Sequence, residues 1–216
     1  MTRRRHSRSA KPSRPGKGAP PRRGNGRLRI IGGEHRRRLL PVPDSPGLRP
    51  TPDRVRETLF NWLAAATPGA RVLDLFAGTG ALGLEALSRG AAEAVLVERD
   101  GRVAEVLADN LSTLGIDRAE VTVDDARHFL AGPPSPFTLA FVDPPFRQGL
   151  VAPCCAALEA GWLADDAWIY VETESALSPE VPSGWSLHRE VRAGDSTGRL
   201  YHRLVGTEPS PHGDAC

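Results

Sequence analysis

Alternating strand-type and helix-type runs across residues 51–206 predict an α/β domain: a mostly parallel, Rossmann-like sheet with helices on both faces. Three observations carry this. The run RVLDLF (71–76) passes straight into the turn Ala77-Gly78-Thr79-Gly80-Ala81-Leu82-Gly83, which opens a helical pattern reaching to about residue 89. Further β-type runs at 94–97, 120–123 and 137–142 each end on acid, at Glu98, Asp124-Asp125 and Asp143. A chain of 216 residues is long enough to bury one substantial core.

The elements follow in order. Residues 1–27 hold no Leu, Ile, Val or Phe and are dense in Arg, Pro, Ser and Gly, which predicts a disordered basic tail. Residues 28–50 predict a β-hairpin extension: the runs 28–31 and 37–42 flank Gly32-Gly33-Glu34-His35 and carry Arg36, Arg37 and Arg38. Those arginines either reach phosphates or solubilise an edge strand. Thr51-Pro52-Asp53 predicts a helix start, with a cap residue, proline at the first helical position and acid at the positive end of the dipole. Val55, Leu59, Trp62 and Leu63 make its apolar face, leaving Arg54 and Arg56 elsewhere. Asp125 before the short helix 126–130 either caps it or accepts from a ligand amine. After Asp143 come a helix (150–163), a strand (168–172), two β-rich runs (186–191 and 199–205) and a tail (207–216).

Charge is divided unevenly. Residues 1–38 hold 14 Lys and Arg against the single acid Glu34, whereas the remainder holds 14 basic and 25 acidic residues. Such a body repels a polyanion except where the basic front guides it. No signal-peptide core and no run of ~18 apolar residues is present, so a cytoplasmic protein is expected. Cys154 and Cys155 read as buried thiols, and with Cys216 they form neither a disulfide framework nor a zinc spacing. The six histidines show no metal spacing, and no metal is expected.

The chemistry concentrates at Asp143-Pro144-Pro145-Phe146. Two prolines fix the backbone and remove two N–H donors, leaving carbonyls free as acceptors. Asp143 and the Pro144 carbonyl can take the two hydrogens of an exocyclic NH₂ while Phe146 stacks on its ring, a bracket suited to a nucleobase amine. A proline turn after a strand is the alternative. In the glycine turn, Gly78 and Gly80 allow close backbone approach at a helix start. Glu98 suits ribose hydroxyls in any nucleotide-type ligand. Asp74, beside Phe76, would repel a pyrophosphate yet hold an amino group, which points to S-adenosylmethionine. Asp125, with Ala126 after it, could accept from the adenine amine or simply cap its helix, and Arg49, Thr51 and Arg54 could close over either the methionine carboxylate or a phosphate.

The segments VLDLFAGTGALGLEALSRGA, VLVERD, DDA and FVDPPF resemble class I S-adenosylmethionine-dependent methyltransferases of the (Asn/Asp)-Pro-Pro-aromatic group. With LRIIGGEHRRRLLPVPDSPGLRPTPDRVRETLFNWL before them and GWLADDAWIYVETE and GWSLHREVRAGDSTGRLYHRL after, the chain resembles the RsmD family of bacterial 16S ribosomal RNA (guanine-N2) methyltransferases over residues 28–204. The resemblance implies a seven-stranded sheet whose last two strands are an antiparallel pair. It also implies rRNA recognition by the N-terminal extension and a small-subunit or assembly-intermediate substrate; a monomer is expected. The bracket alone does not name the base, so DNA adenine or another RNA remains open. A nicotinamide-dependent oxidoreductase using Gly78, Gly80 and Gly83, and a non-catalytic assembly factor, are the other classes to separate.

Overall fold

The computed structural model describes residues 26–43, 45, 48 and 51–206; Arg49 and the two tails lie outside the described residues. In chain order the elements are β1 (Gly26–Arg29), β2 (Leu39–Val42), α1 (Asp53–Trp62), β3 (Arg71–Asp74), α2 (Gly83–Ser88), β4 (Glu93–Glu98), α3 (Gly101–Leu114), β5 (Ala119–Val123), α4 (Ala126–Leu130), β6 (Phe137–Val142), α5 (Val151–Glu159), β7 (Leu163–Glu174), β8 (Trp185–Ala193) and β9 (Ser196–Leu204). A seven-stranded sheet runs β5-β4-β3-β6-β7-β9-β8. Its first five strands are parallel, while β9 pairs antiparallel with both β7 and β8. This is the predicted architecture.

Side chains alternate across each strand, and the sheet sorts them into two cores. Val72, Leu96, Leu139, Phe141 and Tyr170 face α1, α2, α3 and the hairpin. Leu73, Val97, Ala140, Val142, Ile169 and Val171 face α4 and α5, where Cys154 and Cys155 are wholly buried. Burial pushes those thiols up to about 11 and about 12, the signature of inert packing residues.

Three local expectations are corrected, and one helix is added. The helix predicted from Ala77 begins only at Gly83, because Gly78 and Gly80 take φ values of 50° and 76°, outside the helical region. Thr51 makes no side-chain cap; Pro52 occupies the cap position of α1, and the Thr51 carbonyl accepts from Arg56 Nε at 3.2 Å. The helix predicted to residue 163 ends at Glu159, and β7 extends from Leu163 to Glu174 after a turn at Gly161, φ 119°. Finally α3, the longest helix, lies where the motif pattern predicts nothing; Asp100 caps it, accepting from Arg102 and Val103, and left-handed Gly115 ends it.

The hairpin forms as predicted, β1 against β2, but its three arginines occupy the connecting turn and not a strand; Arg37 is left-handed at φ 71°. Leu28, Ile30, Leu40 and Val42 insert into the α1–α3 core, so the extension is part of the domain. The turn is bolted to α2. Glu34 N–H donates to the Ser88 carbonyl at 2.7 Å, and the Ser88 hydroxyl donates to the Gly32 carbonyl at 2.6 Å. Arg56, expected off the apolar face, is fully buried in an ion-pair network.

Candidate active site

Four adjacent strands deliver four carboxyl groups to one face of the sheet, at their carboxyl ends: Glu98 from β4, Asp74 from β3, Asp143 after β6 and Glu172 from β7. Register dictates this. Asp74 pairs with Phe141, two residues before Asp143, and Phe141 pairs with Tyr170, two residues before Glu172, so all share one side. In open α/β sheets this edge is where ligands bind.

The glycine turn is shaped by two of these acids. Asp74 Oδ2 accepts the Gly83 N–H at 2.9 Å, tying the start of α2 to β3, and the Phe76 amide lies close enough to favour the ionised carboxyl. Glu98 Oε2 accepts the Gly78 N–H at 2.9 Å and Oε1 accepts from Asp100 N–H at 2.8 Å, holding the turn and the start of α3 together. The turn is closely packed. A Cβ on Gly83 would lie 2.2 Å from a Leu96 methyl carbon, and one on Gly80 2.4 Å from a Leu107 methyl carbon. Asp74 is 2% exposed; burial foremost, with the neighbouring Glu98 charge adding, pushes its carboxyl up to about 7 against the pull of the two amides. Phe76 is half-buried against the α4–α5 core.

Asp143 is half-buried. Its carboxyl is pushed well above the usual carboxylate range by burial first, then by the charges of Glu172 and Asp74. Pro144 is buried, Pro145 exposed, and Phe146 42% exposed. Pro144, Pro145 and Phe146 line a groove of about 250 Å³ together with residues 147–152, Glu172, Glu174 and residues 177–180. The loop is pinned: left-handed Arg147, φ 61°, donates its N–H to Glu174 Oε1 at 2.6 Å. Among the described residues nothing donates to the Pro144 carbonyl. The bracket therefore combines a rigid backbone acceptor, a carboxyl group and an available aromatic face.

Other predicted residues fall at different distances from this centre. Asp125 caps α4, accepting from Arg127 N–H at 3.0 Å, and that amide holds its carboxyl below the usual range; Ala126 beside it is buried. Both lie at the site's edge, after β5. Thr51 is buried and Arg54 exposed at the start of α1. Arg36, Arg37 and Arg38 are exposed at the opposite end of the domain: Arg38 Nη2 donates to the Thr113 carbonyl at 3.3 Å, in the last turn of α3. The 14 residues of α3 put that end roughly 20 Å from the row of acids. Missed by the motif pattern are Glu172, which ends an apolar run as Asp143 does, and Tyr170 and Gly198, which support it.

The chain matches the family model "conserved hypothetical protein 95" over residues 28–202. It is 57% identical over 186 residues to ribosomal RNA small subunit methyltransferase D of Escherichia coli K12, spanning 85% of this chain and 94% of that protein. Its identity to the protein of the same name from Haemophilus influenzae is 45% over 181 residues, 82% of this chain and 94% of that one. A solved Escherichia coli structure of a candidate methyltransferase, yhhF, superposes with a TM-score of 0.79 at 54% identity, covering 84% of this chain and all of that one. A glycine turn framed by Asp74 and Glu98, an Asp-Pro-Pro-Phe bracket after β6 and these likenesses together make the chain a methyltransferase, a member of the conserved hypothetical protein 95 or RsmD family.

Proposed function

We propose that this protein transfers the methyl group of S-adenosylmethionine to the exocyclic N2 of a guanine in 16S rRNA, in the small ribosomal subunit or an intermediate of its assembly. The observation that carries the reading is the adjacency of Asp143, Pro144 and Phe146 to the glycine turn across neighbouring strands β6 and β3.

The turn fits the cofactor. Gly78 and Gly80 give the turn its left-handed backbone at a helix start, φ 50° and 76°, Glu98 stands at a strand end suited to ribose hydroxyls, and acids nearby favour a cation over a pyrophosphate. S-adenosylmethionine supplies an electrophilic methyl on a positive sulfur. Residues of the turn and of α4 would hold it, Asp125 and Ala126 at the adenine end. The chain's own part in the reaction is positioning. A guanine amine is a weak nucleophile because its lone pair is delocalised into the ring. Asp143 and the Pro144 carbonyl hold its two N–H groups, turn the lone pair toward the methyl and stabilise positive charge growing on nitrogen. Phe146 stacks on the extruded base, returning about 1–3 kcal/mol of the unstacking cost.

The distribution of charge supports a large substrate. Exposed Arg36–Arg38 stand about 20 Å from the acidic row along α3, a span that a structured RNA covers and a nucleotide does not. The relatives' names favour ribosomal RNA. Incubation with methyl-labelled cofactor and unmodified small subunits, followed by nucleoside analysis, tests the reading. Label in N2-methylguanosine at one position is expected; label in N6-methyladenosine or in DNA would overturn it.

A further inference from the structure

Glu172 is the one acid of the row for which the mechanism above has no use. It is 7% exposed and lines the same groove as Phe146. Its Oε2 takes the Tyr170 hydroxyl at 2.9 Å, and among the described residues no other donor reaches the carboxylate. The arrangement is built in depth. Tyr170 is completely buried, and its ring occupies the place of a side chain on the facing strand: a Cβ on Gly198 would lie 2.0 Å from the Tyr170 oxygen. Tyr170 therefore fixes one oxygen of Glu172 and leaves the other toward the groove. That second oxygen keeps its access to solvent through the groove, so it is an acceptor available to a donor on whatever enters.

We infer that Glu172 determines base specificity by accepting the N1–H of the target guanine while Asp143 holds the adjacent amine. This rests on the proposed guanine-N2 reading and adds the group that reads the base. The two carboxyls follow a paired position, Val142 with Val171, on neighbouring parallel strands about 4.8 Å apart, and they face the same side. Two acceptors side by side match two donors side by side. Guanine alone among the common bases presents N1–H next to an NH₂. Adenine and cytosine place a ring-nitrogen lone pair beside their amines, which would point at the Glu172 oxygen and be repelled.

The test uses small subunits whose target nucleotide is either guanosine or 2,6-diaminopurine, which keeps the N2 amine but carries an acceptor at N1. Single-turnover transfer by the wild-type protein is expected to favour guanosine by roughly 100-fold or more. In Glu172→Gln the amide oxygen keeps the Tyr170 hydroxyl and an NH₂ faces the groove. That variant is expected to lose about 100-fold on guanosine, to prefer 2,6-diaminopurine, and to bind S-adenosylmethionine with wild-type affinity by calorimetry. Equal wild-type rates on the two bases would overturn the role without recourse to any variant, as would an unchanged preference in Glu172→Gln. In both cases label in N2-methylguanosine would still stand for the function itself. Wild-type label in a different nucleoside would overturn the guanine reading and this role with it.

Discussion

Arg56 of α1 and Glu85 of α2 form an ion pair, 3.5 Å between Nη1 and Oε2, in which neither side chain touches water. Glu85 also accepts the Ile31 and Gly32 N–H groups at 2.8 and 2.7 Å and the Arg89 guanidinium at 2.7 Å. Arg56 in turn bonds Asp53 and the Arg29 carbonyl. The pair thus fastens the hairpin to the helices. Glu85→Ala leaves a buried guanidinium short of its partner and two backbone amides unpaired, and is expected to cost about 3–5 kcal/mol in urea unfolding.

Gly33 allows a milder separation of hairpin from domain. Its φ is 76°, and a Cβ there would lie 1.8 Å from the Ser88 carbonyl oxygen, so the turn cannot keep its seat on α2 with any side chain present. Gly33→Ala should release the turn, and with it Arg36–Arg38, while the sheet stays folded. The expected result is RNA affinity reduced about tenfold with unchanged S-adenosylmethionine affinity, read by filter binding and calorimetry on one preparation.

Asp143 is the stronger acceptor for the amine, and the better stabiliser of charge growing on it, when ionised, and its carboxyl is pushed up by burial and by Glu172 and Asp74. Transfer should therefore rise with pH to a plateau, with a midpoint well above the ordinary value near 4. Donors on the bound base pull that midpoint down, so the profile of kcat should lie at lower pH than that of kcat/KM. Asp143→Asn should be slower by at least about 100-fold with a flat profile and wild-type cofactor affinity; a variant retaining the wild-type slope would remove Asp143 from this role.

Much of this site is legible in the sequence because one rule recurs: an acid ends an apolar run and a turn follows. Glu98 and Asp143 obey it, Asp74 sits inside its run two residues before the turn, and their places in the row follow from strand order. Glu172 also closes an apolar run, yet its strand continues to Glu174 and no glycine or proline turn marks it out. Arg56 is illegible for a different reason. Three residues before Leu59, Arg56 shares the buried face of α1, but its charge reads as solvent-facing, and only Glu85, from a separate helix, explains its burial. Gly198 likewise looks like a weak point in a strand until Tyr170 is seen to fill its space. The arginine turn shows the limit of pattern: its charge predicts contact with phosphate, but its distance from the acids depends on the direction of α2 and α3.

Residues 1–25 carry nine Lys and Arg and no acid, and lead into β1 at Gly26, beside Val42. From there the chain continues to Leu48, which lies against Gly78. Deleting 1–25 removes charges that displace counterions from RNA, so log affinity should fall less steeply with log salt while cofactor binding is unaffected. An unchanged slope in a salt titration would mean that the tail takes no part.

Asp74 couples stability to catalysis. Its carboxyl is raised from 3.8 to about 7, so between those limits the native protein holds a proton that the unfolded chain has lost. The contribution is fully present below about pH 4 and is lost as pH rises through about 7. Asp74→Asn keeps an acceptor for the Gly83 amide but cannot ionise, so its stability relative to the wild type should climb between pH 4 and 7 and level off above. The same change removes one of the two charges that repel an ionised Asp143. At saturating S-adenosylmethionine, the midpoint of the single-turnover profile should therefore move to lower pH in Asp74→Asn. A midpoint that stays in place would mean that Asp143 is raised by burial and Glu172 alone.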